Sequence, residues 1–319
     1  MISFPRRAGS RLLGLGAAQP DPTRTAAELG APFDKPGAWV QARTGIAELR
    51  RAGSAEEIAA LARAAARQAL AAARLAEQDV DLVITASCSA GTGPWDVGSL
   101  AADIAPRAGR MQLNSACSGF SYALATADGL IRTGVAERVL IVAAEWMSGL
   151  VDPADLGTSI IFGDGAGAAV VGPAEGGRTG VGPVVWGSDG SAGGLIDCGP
   201  QVGGRMRMAG RAVFRWAVEQ MPGIAAEACA RAGVNLADVD VFVPHQANLR
   251  IIDAIAARLG LTRAVVAGHV TSAGNTSAAS IPLALTQLLA EGRARSGQLA
   301  LLLGFGAGLA WAGQVVEVP

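Results

Sequence analysis

Lysine is all but missing from this chain: Lys35 is the only one among 26 basic residues. Histidine is nearly as scarce, with only His245 and His269, and aromatic residues make up 4% of the chain. Charge of either sign is not in surplus, since 26 basic and 27 acidic residues leave a formal net charge of −1. Each shortage excludes something. Without a strong basic field, nucleic acid is not an expected partner. The four cysteines, Cys88, Cys117, Cys198 and Cys229, form no C-x-x-C pair, and with two distant histidines they show no ligand spacing. No metal site is therefore expected. Gly14-Leu-Gly16 lacks the third glycine of a dinucleotide fingerprint, and Gly163-Asp-Gly-Ala-Gly-Ala168 lacks the Gly-Lys-Ser/Thr of a phosphate loop, so no nucleotide cofactor is expected. The start, Met1 to Arg7, has a basic pair but no apolar segment followed by a cleavage site. That predicts no signal peptide, and hence a cytoplasmic protein with four free thiols. One uncharged stretch, Gln298 to Val316, is interrupted by Gly304, Gly306, Gly308 and Gly313. It reads as strand-turn-strand, not as a membrane-spanning helix.

What the chain does have is apolar residues, half of its 319. That is ample for one large domain or two fused halves. Helical and strand patterns alternate, which argues for an α/β architecture. Ser54-Ala-Glu-Glu57 is a capping-box start for an Ala-rich helix running to about Leu75. Strands follow at Asp81–Ala86, Met111–Asn114 and Arg138–Ala144, with a helix from about Phe120 to Arg132 between the last two. The second half repeats this series. Gln68 to Ile84 lines up without gaps with Glu227 to Val243, each an Ala-rich helix, a turn, Asp-Val-Asp and an apolar strand. Further on, Ser115-Ala-Cys117-Ser-Gly-Phe-Ser lines up with Ala273-Gly-Asn275-Thr-Ser-Ala-Ala. This ordered series predicts an internal duplication, with residues 1–175 as one half and 176–319 as the other. In that alignment Cys117 and Asn275 occupy equivalent turns facing a shared centre.

Cys117 sits on a small-residue turn, Ser115 to Gly119, just before a helix. Free amides and the positive dipole end at such a start favour a thiolate, and the same amides can hold an oxyanion. A free cysteine is otherwise an ordinary buried residue, and Cys88, Cys198 and Cys229 are assigned that role. His245 lies in Val241-Phe-Val-Pro-His-Gln-Ala-Asn-Leu-Arg250, at the carboxyl end of a strand, where α/β folds gather functional residues. His269 lacks that context. Asn275, in Gly274-Asn-Thr-Ser-Ala-Ala-Ser280, has the plain alternative of a turn or cap residue. Gly304-Phe-Gly-Ala-Gly308 is either a simple hairpin or a place where backbone amides approach a ligand.

Taken together and in order, these segments resemble the 3-oxoacyl-acyl-carrier-protein synthase III family. The resemblance rests on Ser115 to Phe120, Phe162 to Ala168, Pro244 to Arg250, Gly274 to Ser280, Gly304 to Gly308 and Trp39-Val-Gln-Ala-Arg43-Thr-Gly-Ile46, and covers nearly the whole chain. It is most similar to actinobacterial members, including ketosynthases that prime polyketide assembly. The resemblance implies a thiolase-like fold of two α/β halves in five layers, αβαβα, usually as a homodimer. It implies a Cys117-His245-Asn275 triad, an oxyanion hole from the amides of Cys117 and Ala307, and no cofactor. Trp39, Arg43, Arg215, Asn248 and Arg250 would line the entrance for acyl-CoA or acyl carrier protein. Gly210, Phe214 and Phe305 would flank the pantetheine channel and the nucleophile. The residues themselves suggest a basic entrance of Arg205, Arg207, Arg211, Arg215 and Arg250 for phosphates and an acidic carrier. Three departures from the family pattern concern substrate choice. Leu156 and Ala47 stand where arginines are common, and Gly93 stands where some members carry an aromatic residue.

The implied reaction is ping-pong: Cys117 takes an acyl group from a thioester. Decarboxylation of a malonyl thioester then gives an enolate, held by N–H groups of His245 and Asn275. The enolate attacks the acyl-cysteine. Two other readings share these residues: an acyltransferase that moves the acyl group elsewhere, and a non-catalytic ketosynthase-like partner, whose mark would be loss of the nucleophile. A biosynthetic thiolase would carry a second cysteine near the C-terminus, and the Gly304–Gly308 turn has none.

Overall fold

The computed structural model describes residues 8–21, 23–90, 97–176, 179–199 and 203–319. Gly93 lies outside them, as do the N-terminal residues Met1 to Arg7. The strands are β1 (Ser10–Ala18), β2 (Thr23–Thr25), β3 (Glu48–Arg50), β4 (Leu82–Ala86), β5 (Gly109–Leu113), β6 (Val139–Glu145), β7 (Gly165–Pro173), β8 (Val185–Ser188), β9 (Ile196–Asp197), β10 (Arg207–Met208), β11 (Val241–Pro244), β12 (Val265–Val266), β13 (Leu299–Gly306) and β14 (Ala310–Glu317). The helices are α1 (Ala26–Gly30), α2 (Gly37–Thr44), α3 (Ala55–Ala73), α4 (Val97–Ile104), α5 (Gly119–Arg132), α6 (Leu156–Ser159), α7 (Gly210–Ala232), α8 (Leu249–Leu259), α9 (Val270–Ala273) and α10 (Ser280–Ala290).

Two five-stranded sheets dominate, in the orders β1-β7-β6-β4-β5 and β8-β14-β13-β11-β12. The senses match strand for strand: β4 is parallel to β5 and β6, β11 is parallel to β12 and β13, and the remaining neighbours are antiparallel. This is the predicted duplication. Helices α5 and α10 lie between the sheets, α3 and α4 cover the outer face of the first, and α7 and α8 cover that of the second. The result is the expected five layers.

Strand β6 shows why the central strands read as unbroken apolar runs. Val139, Ile141 and Ala143 enter the central core, while Leu140, Val142 and Ala144 enter the outer one. Strand β13 does the same, with Ala300 and Leu302 inward and Leu301, Leu303 and Phe305 outward. Both faces are covered, so no polar alternation remains. The uncharged stretch near the C-terminus is the antiparallel β13–β14 hairpin. Among the described residues no helix is long and apolar enough to cross a membrane.

The structure corrects the second alignment between the halves. Single 3₁₀ turns precede α5 and α10, at Ala116–Ser118 and Ser277–Ala279, and each opens on a non-glycine residue of positive φ, Ala116 at 45° and Ser277 at 48°. Ala116 is therefore the counterpart of Ser277, and Cys117 that of Ala278, not Asn275. The inward residues Val139, Ile141, Ala143 and Glu145 of β6 correspond in the same way to Ala300, Leu302, Gly304 and Gly306 of β13. Asn275 sits two residues before the positive-φ position, on a segment that bridges to Phe162 of the first half.

Candidate active site

Cys117 is buried at the start of α5, beneath the end of β13. A Cβ on Gly306 would lie 2.6 Å from Cys117 Cβ and 3.0 Å from its Sγ, so only glycine allows this approach. That is the close backbone contact the glycine-rich turn suggested.

His245 follows β11. Its N–H donates to Leu303 O at 2.8 Å, and its ring meets Phe305 edge-on at 5.4 Å between centroids. Asn275 is held on both sides of its backbone: its N–H donates to Ile161 O at 2.8 Å, and its carbonyl accepts from Gly163 N at 3.0 Å. Its side-chain Oδ1 accepts from Ser277 N at 2.9 Å. The acceptor end of the amide is thus in use, and Nδ2 is the group left to donate.

These three residues line one cavity of about 970 Å³, together with Ala307, Phe305, Phe214, Gly210, Trp39, Arg43, Arg215, Asn248 and Arg250. The catalytic, oxyanion and substrate-arm residues implied by the resemblance are therefore all brought together. Their side chains are not all free. Asn248 caps α8, with Oδ1 accepting from Arg250 N at 2.9 Å and Nδ2 donating to Arg43 O at 3.2 Å. Arg43 and Lys35 lie over the Trp39 ring at 4.9 and 5.6 Å, and Arg250 over Phe214 at 5.6 Å. Leu156 packs into the same apolar cluster as Trp39. The proposed basic entrance shrinks. Arg205 donates to the Gly149 and Val151 carbonyls, and Arg207 pairs with Asp152 at 2.9 Å. Arg211, Arg215 and Arg250 remain at the cavity.

Burial pushes the Cys117 thiol up to about 12, with a hydrogen bond from Ser277 opposing and the Glu145 charge adding to the rise. The thiolate expected from the helix start is thus outweighed, because desolvation of a sulfur anion is the larger effect. Burial also drives His245 down to about 3, so its ring is neutral.

Several residues at the site escaped the sequence. Cys88 lines the cavity, contrary to its assignment as an ordinary buried thiol; its Sγ lies 3.4 Å from Ser277 Oγ and donates to Glu145. Burial and the Glu145 charge raise it well above the usual thiol range. Glu145 is fully buried at the end of β6. It accepts from Ser87 Oγ, from Ser89 Oγ at 2.6 Å, from the Cys88 and Ser89 amides, and from Ala278 N at 3.3 Å. A lone acid closing an apolar strand was the available signal. Met147, Leu150, Phe162 and Met206 form a compact apolar group with Cys88 and Ile161, all lining the cavity. His269 is elsewhere, its Nε2 donating to Gln19 Oε1 at 3.1 Å.

A buried cysteine at a helix start, an apolar cavity wall and the neighbouring side chains of His245 and Asn275, set in a duplicated five-layer fold, match a thiolase-like acyltransferase. Comparison with known proteins narrows the class. Family models described as 3-oxoacyl-[acyl-carrier-protein] synthase III and its C-terminal part match residues 111–190 and 229–318. Beta-ketoacyl-[acyl-carrier-protein] synthase III 4 of Streptomyces coelicolor is 44% identical, over 98% of this chain and 99% of its own length. A mycobacterial beta-ketoacyl-[acyl-carrier-protein] synthase III from Mycobacterium avium is 40% identical, over 97% of this chain and 95% of its own. Among solved structures, a priming beta-ketosynthase from a polyketide biosynthetic pathway superposes with a TM-score of 0.94 at 40% identity, over 100% of this chain and 98% of its own. The chain belongs to the 3-oxoacyl-[acyl-carrier-protein] synthase III family.

Proposed function

We propose that this enzyme condenses an acyl-CoA starter with a malonyl-carrier protein, releasing carbon dioxide and a 3-oxoacyl-carrier protein that begins a fatty acid or polyketide chain. The convergence of Cys117, His245 and Asn275 on one cavity carries the reading. Cys117 attacks the starter thioester, the amides of Cys117 and Ala307 hold the oxyanion, and the thiol proton leaves with the departing thiol. The malonyl thioester then loses carbon dioxide. Its enolate oxygen is met by an imidazole N–H of His245 and by Asn275 Nδ2, two neutral donors that need transfer no proton. The enolate carbon attacks the acyl-cysteine and the sulfur departs. Trp39, Arg43, Arg215 and Arg250 receive the phosphate-bearing arm and the acidic carrier protein. The reaction uses no metal or prosthetic group, and the enzyme works in the cytoplasm, where its thiols stay reduced. It acts as a homodimer, with the exposed edge strand β5 pairing to a second copy.

The test is intact-protein mass spectrometry after incubation with a panel of acyl-CoAs. The parent gains one acyl mass on Cys117, and Cys117→Ala gains none; labelling at another cysteine overturns the assignment. Adding malonyl-carrier protein should release a 3-oxoacyl product, which separates a synthase from a simple acyltransferase.

A further inference from the structure

We propose that Ser280 is the positioning residue for His245: its hydroxyl donates to Nδ1 and so fixes the ring proton on Nε2, the nitrogen that must offer an N–H to the enolate. The inference rests on the role given to His245 above. Ser280 Oγ lies 2.7 Å from His245 Nδ1. By distance alone, either atom could be the donor. The hydrogen-bond inventory around Ser280 decides. Its oxygen also lies 3.3 Å from Gln246 N, and a backbone N–H can only donate. The hydroxyl thus accepts from Gln246, and its own hydrogen needs an acceptor. Among the described residues, His245 Nδ1 is the one remaining partner of Ser280 Oγ. The hydrogen therefore points at Nδ1, and in a neutral imidazole with an unprotonated Nδ1 the proton resides on Nε2.

The surroundings keep this arrangement rigid. Ser280 is 1% exposed and is the first residue of α10, so its hydroxyl is anchored to a central helix. Gln246 is locked at both ends of its amide: Nε2 donates to Pro244 O at 2.7 Å, and Oε1 accepts from Val270 N at 3.1 Å. The ring can neither slide nor flip without leaving Phe305 and a buried hydroxyl. One consequence separates this site from acid–base pairs. An Nε2–H imidazole cannot accept the thiol proton of Cys117, so His245 serves the decarboxylation step and not activation of the nucleophile.

The chain has two histidines, which makes the tautomer directly readable. In the intact enzyme labelled with ¹⁵N-histidine, His245 should show an unprotonated Nδ1 and a protonated Nε2 at neutral pH, with His269→Gln assigning the signals. A protonated Nδ1 on His245 overturns the proposal, whatever the activity. Ser280→Ala should lose the single tautomer and slow carbon dioxide release from malonyl-carrier protein by about 10- to 100-fold, less than the about 10²–10³ for outright loss of an oxyanion donor, because part of the ring population keeps Nε2–H. Acylation of Cys117 by acyl-CoA should change by less than about threefold, since no proton passes to His245 in that step. Ser280→Thr, which keeps the hydroxyl, should restore both tautomer and rate. Unchanged decarboxylation in a folded Ser280→Ala, or equal loss of acylation, refutes the positioning role. If Ser280→Ala does not fold, the tautomer of the parent still decides. Failure of the wider reading would look different: the tautomer would stand, while Cys117→Ala released product at the parent rate.

Discussion

Replacing Gly306 by alanine should disable the nucleophile while leaving the fold in place. The new Cβ would sit 2.6 Å from Cys117 Cβ, 3.0 Å from its Sγ and 3.1 Å from its amide nitrogen, where ordinary contact begins at 3.4 Å. Cys117 must then retreat by about 0.8 Å, and a misplacement near 1 Å costs about 100-fold in rate. The same crowding is an overpacking event worth about 1–3 kcal/mol of stability. The two effects need separating, and Gly167→Ala on β7 does so. Its Cβ would meet Pro282 Cγ at 2.7 Å and Leu283 N at 3.0 Å, a clash of similar severity against α10. Urea unfolding should show comparable destabilisation of the two variants. A time course of intact mass with excess acyl-CoA should show acylation slowed by about 100-fold in Gly306→Ala and within about threefold of the parent in Gly167→Ala. A folded Gly306→Ala that acylates at the parent rate would show that the close approach of β13 to the sulfur has no part in the chemistry.

Two further outcomes follow from the site and its burial. Asn275→Ala and His245→Ala should each cut carbon dioxide release from malonyl-carrier protein by about 10²–10³ while retaining acylation; full release from both variants refutes their role. Acid should destabilise the fold through its histidines. Burial holds His245 at about 3 and His269 at about 4, below the ordinary value of 6.5, so the unfolded chain takes up protons first as pH falls. Their stabilisation is complete above pH 6.5, and each loses about 2 kcal/mol between pH 7 and 5. Asp164 acts in the opposite sense. Burial raises it to about 6 despite hydrogen bonds from Ser148, so the folded state gains about 1 kcal/mol over the same interval. Urea midpoints at the two pH values should record a net loss, reduced in His269→Gln; a flat profile contradicts the burial argument.

Much of this architecture was legible in the sequence, for physical reasons that also mark where legibility stopped. Strands buried on both faces, such as β6 and β13, stand out as continuous apolar runs, and Asp81 and Asp240 bracket equivalent turns before β4 and β11. Ser115 to Gly119 and Gly274 to Ala279 have no such pattern. They are runs of small residues without apolar period, so the three-residue shift that pairs Cys117 with Ala278 was invisible. The arginines failed for another reason. Arg207 is taken by Asp152, 55 positions away, and only the fold decides which charges meet. The thiol of Cys117 shows the same limit, since a helix start is readable from local sequence and desolvation is not.

The duplicated half preserves a second copy of the turn that carries Cys117, with Ala278 in the place of the cysteine. Where β13 ends in Gly306, without a side chain over Cys117, β6 ends in Glu145, whose carboxylate accepts from the amide of Ala278. That amide is the counterpart of the Cys117 amide that would hold an oxyanion. In the first half's strand, a carboxyl group thus sits where the oxyanion proposed for its twin would form. The second turn is filled by the chain's own side chain. A glycine or a glutamate at the last position of one strand separates the half proposed to react from its twin.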